Sequence, residues 1–251
     1  MGRRPSCSMC PMPGSPPGAI GTSVVGDSAW VFSAVPTSQV CYAKPSNGGG
    51  RTAGTSGRNC PMSEFIVLLD ESGHAIGSAD KVTSHHRDTP LHLAFSCYLL
   101  DDDGRVLLTQ RSAAKRTFPG VWTNSFCGHP APGEALPDAV HRRGQDELGV
   151  KLADLRLVLP EFRYRAVMAD GTAEHEYCPV FAARLKDGPP QLNPAEVDDQ
   201  RWVTWPEAMA VAQEPAASPW FRTQAQLLAA LGEPAGWPGG DAAALPPAAR
   251  W

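Results

Sequence analysis

The run Leu91-His92-Leu93-Ala94-Phe95-Ser96-Cys97-Tyr98-Leu99-Leu100 constrains the fold more than any other. Leu91, Leu93, Phe95, Cys97 and Leu99 alternate with His92, Ala94, Ser96 and Tyr98, so an extended segment here has one strongly apolar face that something must cover. Asp101-Asp102-Asp103-Gly104 then reads as a hairpin turn, and residues 105–111 as the returning strand. Three consecutive aspartates suit calcium by type, but between two strands and without a later ligand set they read as a solvated turn.

Further elements extend this sheet. Phe65-Ile66-Val67-Leu68-Leu69 is a short strand closed by a turn at Asp70-Glu71-Ser72-Gly73, and residues 81–86 read as a loop. A helix is expected over residues 137–148, with Pro137 suited to its first turn and Gly149 to its C-terminal cap. Residues 155–159 and 162–168 read as strands, Ala169-Asp170-Gly171 as a turn, and residues 173–185 as one strand that completes a second hairpin. A last strand over 197–203 precedes helices over 205–213 and 219–231.

Composition divides the chain. Residues 1–61 hold five basic residues and one acid, leaving 17 basic and 25 acidic residues to the rest, a net charge of -8. Rich in Gly, Pro and Ser, the first part has too few spaced apolar residues to offset its ordering entropy and is expected to be a disordered arm. It has some of the bias of a transit peptide, but its Pro and Gly would break the amphipathic helix such peptides need. The expected layout is this arm, a domain over 62–232, and a loose tail over 233–251, where Pro, Gly and Ala dominate. A net charge of -4 gives no electrostatic reason to expect nucleic acid, and no run of 18 apolar residues suggests a membrane span.

The chemistry gathers around Thr123-Asn124-Ser125-Phe126-Cys127-Gly128-His129-Pro130. In an extended segment Cys127 and His129 share a face, which puts a thiol and an imidazole on one pocket wall. Arg111, Lys115 and Arg116 beside Phe118 could clamp phosphate if they lie near it. Glu174 and Glu176 share a strand face while His175 points away. With His85, His92 and His129 they offer three imidazoles and two carboxylates, a set suited to Mn, Zn or Fe if the fold collects them. Cys7-x-x-Cys10 is half of a zinc pattern without a partner pair, and Cys97 and Cys178 read as core residues.

Taken together, Leu91-His92-Leu93-Ala94-Phe95-Ser96, Pro119-Gly120-Val121-Trp122-Thr123-Asn124-Ser125, Cys127-Gly128-His129-Pro130, Tyr164-Arg165-Ala166 and Glu174-x-Glu176-x-Cys178-Pro179-Val180-Phe181 closely resemble the type I isopentenyl-diphosphate delta-isomerases. The resemblance runs from about Met62 to Trp220 and beyond. That family belongs to the Nudix superfamily, and Gly128, Glu134, Arg142, Glu147, Gly149 and Val150 fit the spacing of the Nudix box. Arg143 stands where hydrolases carry a glutamate, Gly144 where they carry an aliphatic residue, and Asp146 replaces a usual glutamate.

The resemblance implies an α+β Nudix-like fold, with a mixed β-sheet flanked by helices. It implies a metal-dependent isomerase that protonates isopentenyl diphosphate at C4 and deprotonates it at C2. His85, His92, His129, Glu174 and Glu176 match the family's metal ligands, for Mn2+, Mg2+ or Zn2+, and Glu147 a ligand of Mg2+ held with the diphosphate. Lys81, Arg111 and Lys115 match residues that grip diphosphate, Cys127 and Glu176 the catalytic pair, Tyr164 the phenol beside it, and Trp220 the aromatic over the hydrocarbon end. Protonation is assigned to Glu176 with Tyr164, and removal of the C2 proton to Cys127. The partner is then a small diphosphate, with no nucleic acid or membrane. A required thiol suits a reducing cytoplasm without disulfides. A Nudix diphosphate hydrolase is the alternative, weakened by the cation at Arg143. A binding module that has lost its chemistry is weakened by the survival of Cys127, Glu176 and the candidate ligands.

Overall fold

Strand β4 (Phe95–Leu100) is the hub of the molecule, and all six of its residues are buried. The computed structural model describes residues 64–250, so the expected arm over 1–61 and the Cys7-x-x-Cys10 pair lie outside the described residues. Two mixed sheets result. One runs β2 (Ala75–Asp80), β1 (Phe65–Leu69), β3 (His92–Leu93), β10 (Ala173–Tyr177), β9 (Arg163–Val167). The other runs β12 (Val197–Val203), β5 (Val106–Arg111), β4, β11 (Val180–Leu185), β8 (Leu152–Leu159).

The hairpin expected around Gly104 forms, but its arms pair only at Leu100 and Val106 before they diverge. Two short strands fill the fork: β6 (Trp122–Thr123) pairs with β5 and β7 (Phe126–Gly128) with β4. Ser96 thereby stands opposite Cys127 on one side and Val180 on the other. The fork is what fixes the central stretch.

The single strand expected over 173–185 is two strands, β10 and β11, one in each sheet. Pro179 lies at the break and has no N–H to continue a ladder. Strands β3 and β4 break beside it, where Ala94 N donates to Tyr177 O at 2.9 Å and Ser96 N to Pro179 O at 3.0 Å. Both parallel pairs, β3 with β10 and β4 with β11, thus pass between the sheets at one place.

Strand β4 is covered on both faces, where alternation required only one. Leu91, Leu93, Phe95, Cys97 and Leu99 join the core that holds Phe126, Phe181 and Leu148. Ala94, Tyr98 and Leu100 face a second core built on α3 (Trp205–Val211) and α4 (Pro219–Ala229). Residues 81–84, expected as loop, form the short helix α1 (Lys81–Ser84), capped by Asp80 Oδ1 accepting from Thr83 N. Strand β2 carried no apolar signal because it is an exposed edge.

Helix α2 (Leu136–Leu148) buries Leu136, Ala139, Val140, Arg143, Gly144, Glu147 and Leu148, the stripe that 3.6-residue periodicity gives. Gly149 ends it in the left-handed conformation, φ 62°, as its glycine anticipated. Gly128 lets α2 approach β7, since a Cβ there would lie 2.7 Å from Arg143 Cγ and 2.9 Å from Phe95 Cζ.

The tail expected to be loose is packed. Trp237 is 1% exposed, with its ring centroid 5.0 Å from that of Trp205 and 5.7 Å from that of Tyr98. Gly240 N donates to Leu157 O at 2.7 Å and Ala248 N to Gly73 O at 3.0 Å. A few large anchors, Trp237 and Leu245 among them, outweigh a composition that otherwise reads as linker.

Candidate active site

The elements around the sheet crossing surround a cleft of about 430 Å³. Strand β10 brings Glu174 and Glu176 to it, β9 brings Tyr164, β7 brings Cys127 with His129 just beyond, and α4 brings Trp220. Helix α1 contributes Lys81, and the loop after β5 contributes Lys115 and Arg116.

His85, His92, His129 and Glu176 each place a ligand atom within 4.8 Å of the others. His85 Nδ1 lies 2.8 Å from Lys81 O and His92 Nδ1 2.9 Å from Pro90 O. N–H donation to those carbonyls leaves each Nε2 free for a cation, the arrangement metal-bound histidines usually show. His92 Nε2 and His129 Nδ1 are buried without a hydrogen-bond partner. His92 Nε2, orphaned and 3.5 Å from Glu176 Oε1, is costly unless something fills the gap, and with His129 Nε2 also on that oxygen at 3.2 Å these four residues fit a metal ion. Glu174, the fifth expected ligand, stands outside this group.

Glu174 and Glu176 instead share a phenol. Tyr164 Oη lies 2.8 Å from Glu174 Oε2 and 3.0 Å from Glu176 Oε2, with both carboxylates buried. One O–H serves two acceptors. Burial, reinforced by the two carboxylates, pushes the Tyr164 pKa well up and keeps it a donor. Burial would also raise Glu176, but attraction to His129 and His92 outweighs it and holds this carboxyl well below the usual range. Burial lowers His129 to about 3, keeping it neutral with a lone pair to offer. In His92 the pull of Glu176 outweighs burial and raises the pKa, whereas burial lowers His85.

Cys127 Sγ lies 3.3 Å from both Ser96 Oγ and Asn124 Oδ1. Burial lifts the thiol to about 12, against the lowering effect of these hydrogen bonds and of Arg111. Cys127 and Tyr164 therefore keep their protons, and Glu176 accepts from Tyr164. Asn124 cannot turn, because its Nδ2 donates to Cys97 O at 3.0 Å and Phe126 O at 2.8 Å. Its Oδ1 also accepts from Trp220 Nε1 at 3.2 Å, so one amide fixes the thiol and the indole together. Trp220 is 2% exposed, with its ring 5.5 Å from Tyr164 and 5.3 Å from Phe118.

The cleft wall also carries charge. Arg143 donates from Nη2 to Glu147 Oε1 at 2.6 Å, and that Nη2 lies 3.2 Å from Glu196 Oε1. Burial disfavours its charge, but Glu147 and Glu196 outweigh this and raise its pKa. Arg111 rests on the carbonyls of Phe118 and Thr117 and lies 5.4 Å from the Trp220 ring centroid.

Every sequence-predicted site residue except His92 lines the cleft, and His92 is fully buried against Glu176 behind it. Sequence reasoning noted Arg143 only as a departure from the Nudix box, and it passed over Glu64, Glu196 and Ser96. Arg143 could have been found from its place on the buried stripe of α2, four residues before Glu147. Glu64 and Glu196 gave no signal, because each reaches the cleft only through the strand that follows it.

Fold and site together define a class. The family model for the NUDIX domain matches residues 90–224, and a solved structure from Deinococcus radiodurans shares the fold at a TM-score of 0.52. That structure is 21% identical and covers 65% of this chain and 98% of its own. The isopentenyl-diphosphate Delta-isomerase of Mycolicibacterium vanbaalenii is 59% identical over 172 residues, covering 67% of this chain and 93% of the relative. The enzyme of that name from Saccharopolyspora erythraea is 55% identical over 189 residues, covering 74% and 97%. This chain belongs to the isopentenyl-diphosphate Delta-isomerase family of NUDIX-domain proteins.

Proposed function

We propose that the chain interconverts isopentenyl and dimethylallyl diphosphate by paired proton transfer. The observation that carries this reading is that the Cys127 thiol and the Tyr164–Glu176 pair line one cleft together with Lys81, Arg111, Lys115 and Arg143. An unactivated double bond needs a proton at C4, a tertiary cation at C3, and loss of a proton from C2. Two proton-transfer groups can serve this, one as donor and one as acceptor.

Glu176 rests ionised with the Tyr164 hydroxyl donating to it at 3.0 Å, so a donor role requires that Glu176 take up a proton first, with Tyr164 as the hydroxyl that orients it. Cys127 must ionise before it can accept, and Ser96, Asn124 and Arg111 are the groups that make its thiolate less costly. Exchanging the roles serves the return reaction. Trp220 and Tyr164 would enclose the hydrocarbon end with Phe118 packed edge-on against the indole, and an indole face stabilises a cation by about 2 kcal/mol once water is excluded.

His85, His92, His129 and Glu176 would hold Mn2+, Mg2+ or Zn2+, with Glu174 joining if Tyr164 releases it. A bound divalent cation would supply fixed positive charge beside Glu176 and order its ligands. Glu147 would meet Mg2+ brought by the diphosphate, and Lys81, Arg111 and Lys115 would take the phosphate oxygens. Hydrolysis is disfavoured because Arg143 occupies a box carboxylate position and pairs with Glu147. A thiol in this role suits a reducing compartment, and we place the enzyme in the cytoplasm, acting on a small diphosphate rather than on nucleic acid or membrane. Among the described residues no helix is long and apolar enough to cross a membrane.

Incubation with isopentenyl diphosphate and Mg2+, with chromatographic separation of the diphosphates and a phosphate assay, tests the reading. Dimethylallyl diphosphate without phosphate release supports it. Phosphate or isopentenyl monophosphate would replace it with hydrolysis.

A further inference from the structure

We propose that Glu64 and Glu196 are placeholder carboxylates: in the free enzyme they occupy Lys81 and Lys115, two of the cations assigned to the diphosphate, with Arg143 between them, and so loosen the grip on substrate and product alike. The inference rests on the isomerase reading above and concerns the cations of that cleft.

Three cations on the cleft wall come from three separate elements, and each meets a carboxylate. Lys81, at the start of α1, donates from Nζ to Glu64 Oε2 at 2.6 Å. Lys115, in the loop after β5, pairs with Glu196 Oε2. Arg143, on α2, lies 3.2 Å from Glu196 Oε1, 3.7 Å from Glu64 Oε1, and is bonded by Glu147. Burial would raise both placeholder carboxyls. The charge of Lys81 outweighs it and lowers Glu64 to about 2, and Arg143 with Lys115 likewise lowers Glu196. Both stay ionised.

The arrangement closes a chain from Lys81 through Glu64, Arg143 and Glu196 to Lys115, with Glu147 balancing the third cation. Arg111 and Arg116 differ, for their bonds go to backbone carbonyls of Phe118, Thr117 and Val82 and to the Thr117 hydroxyl, none of them an acid. A structural role explains Glu64 poorly, since its side chain is 53% exposed and such a pair contributes little to stability. Two carboxylates one behind the other on three cations stand in the way a diphosphate would.

A diphosphate that binds these cations must first displace both carboxylates. Substrate and product carry the same diphosphate, so the cost falls on both equally, raising KM and easing release without touching the chemical step.

Glu64→Gln and Glu196→Gln keep shape and remove charge. Calorimetry with inorganic pyrophosphate and Mg2+ on the full chain reads the effect directly. Each variant is expected to bind pyrophosphate about tenfold more tightly than the unmodified protein, as loss of one competing carboxylate allows. KM for isopentenyl diphosphate should fall while kcat does not rise. Glu64→Gln lies at the rim, and a thermal melt matching the unmodified protein verifies its fold. Unchanged or weaker pyrophosphate affinity in that folded variant would overturn the proposal, because a carboxylate that merely positions its lysine would lower affinity when removed. Turnover by the unmodified protein tests the isomerase reading separately, and pyrophosphate affinity does not depend on it.

Discussion

Tyr164→Phe removes one oxygen and leaves the ring in place. The ring stays stacked on Phe162, at 5.9 Å, and beside Trp220, at 5.5 Å, so packing should survive. What is lost is, among the described residues, the one donor shared by Glu174 and Glu176, at 2.8 and 3.0 Å. The two carboxylates are 5% and 4% exposed, too buried for bulk water to replace the hydroxyl. A hydrogen bond to a charged group contributes about 1.5–3 kcal/mol. If Tyr164 orients Glu176 for the proton it delivers, that loss appears in the barrier and lowers kcat by about 10- to 150-fold. KM should change little, because the phenol bonds the two carboxylates and none of Lys81, Arg111 and Lys115. Steady-state kinetics on metal-loaded enzyme, with metal content measured alongside, make the comparison. A kcat within about twofold of the unmodified enzyme, with metal retained, would remove Tyr164 from the proton route.

Cys127→Ala should abolish turnover while the bound metal and the thermal melt stay unchanged, and isomerisation at the unmodified rate would exclude the thiol from the mechanism. Trp237→Ala should cost about 3–5 kcal/mol and lower Tm by about 6–20 °C, since a fully buried indole is lost from between Trp205 and Tyr98; an unchanged melt would mean that the tail is not part of the core. Acid should destabilise the metal-free protein. The His129 pKa is lowered to about 3, below the usual value of 6.5, so between the two only the unfolded chain takes up its proton. That stability is complete above about pH 6.5 and declines as pH falls, with a slope of about 1.4 kcal/mol per pH unit. His85 acts in the same direction, while the raised His92 changes only above its ordinary value. Urea unfolding at about pH 6 and about pH 5 checks the sign, and equal or greater stability at the lower pH would contradict it.

Where one residue type decides the outcome, the sequence was enough. Gly149 marked the end of α2 and β12 begins and ends where its pattern did, while the alternation from Leu91 to Leu99 marked an extended run that the structure divides into β3 and β4, one in each sheet. The cluster of His85, His92, His129 and Glu176 was legible as a set of ligand types, and the family resemblance supplied its meaning. Features created by long-range approach were hidden. The division of 173–185 between two sheets depends on which partners β10 and β11 meet, and the second covered face of β4 depends on helices more than a hundred residues later. Glu64 and Glu196 carry no local mark, for a carboxylate before a strand is ordinary until a lysine and an arginine arrive beside it. The tail was misjudged because average composition conceals one well-placed tryptophan.

The central claim is proton exchange between solvent and two carbons of one substrate, and proton NMR in deuterated water with isopentenyl diphosphate and Mg2+ tests it most directly. The account requires dimethylallyl diphosphate with deuterium entering the new methyl group at C4, the C2 proton passing to solvent, and no phosphate appearing in the same tube. Product free of deuterium would contradict solvent-exchanging acid–base chemistry at Cys127 and Glu176, and phosphate in place of dimethylallyl diphosphate would contradict isomerisation itself.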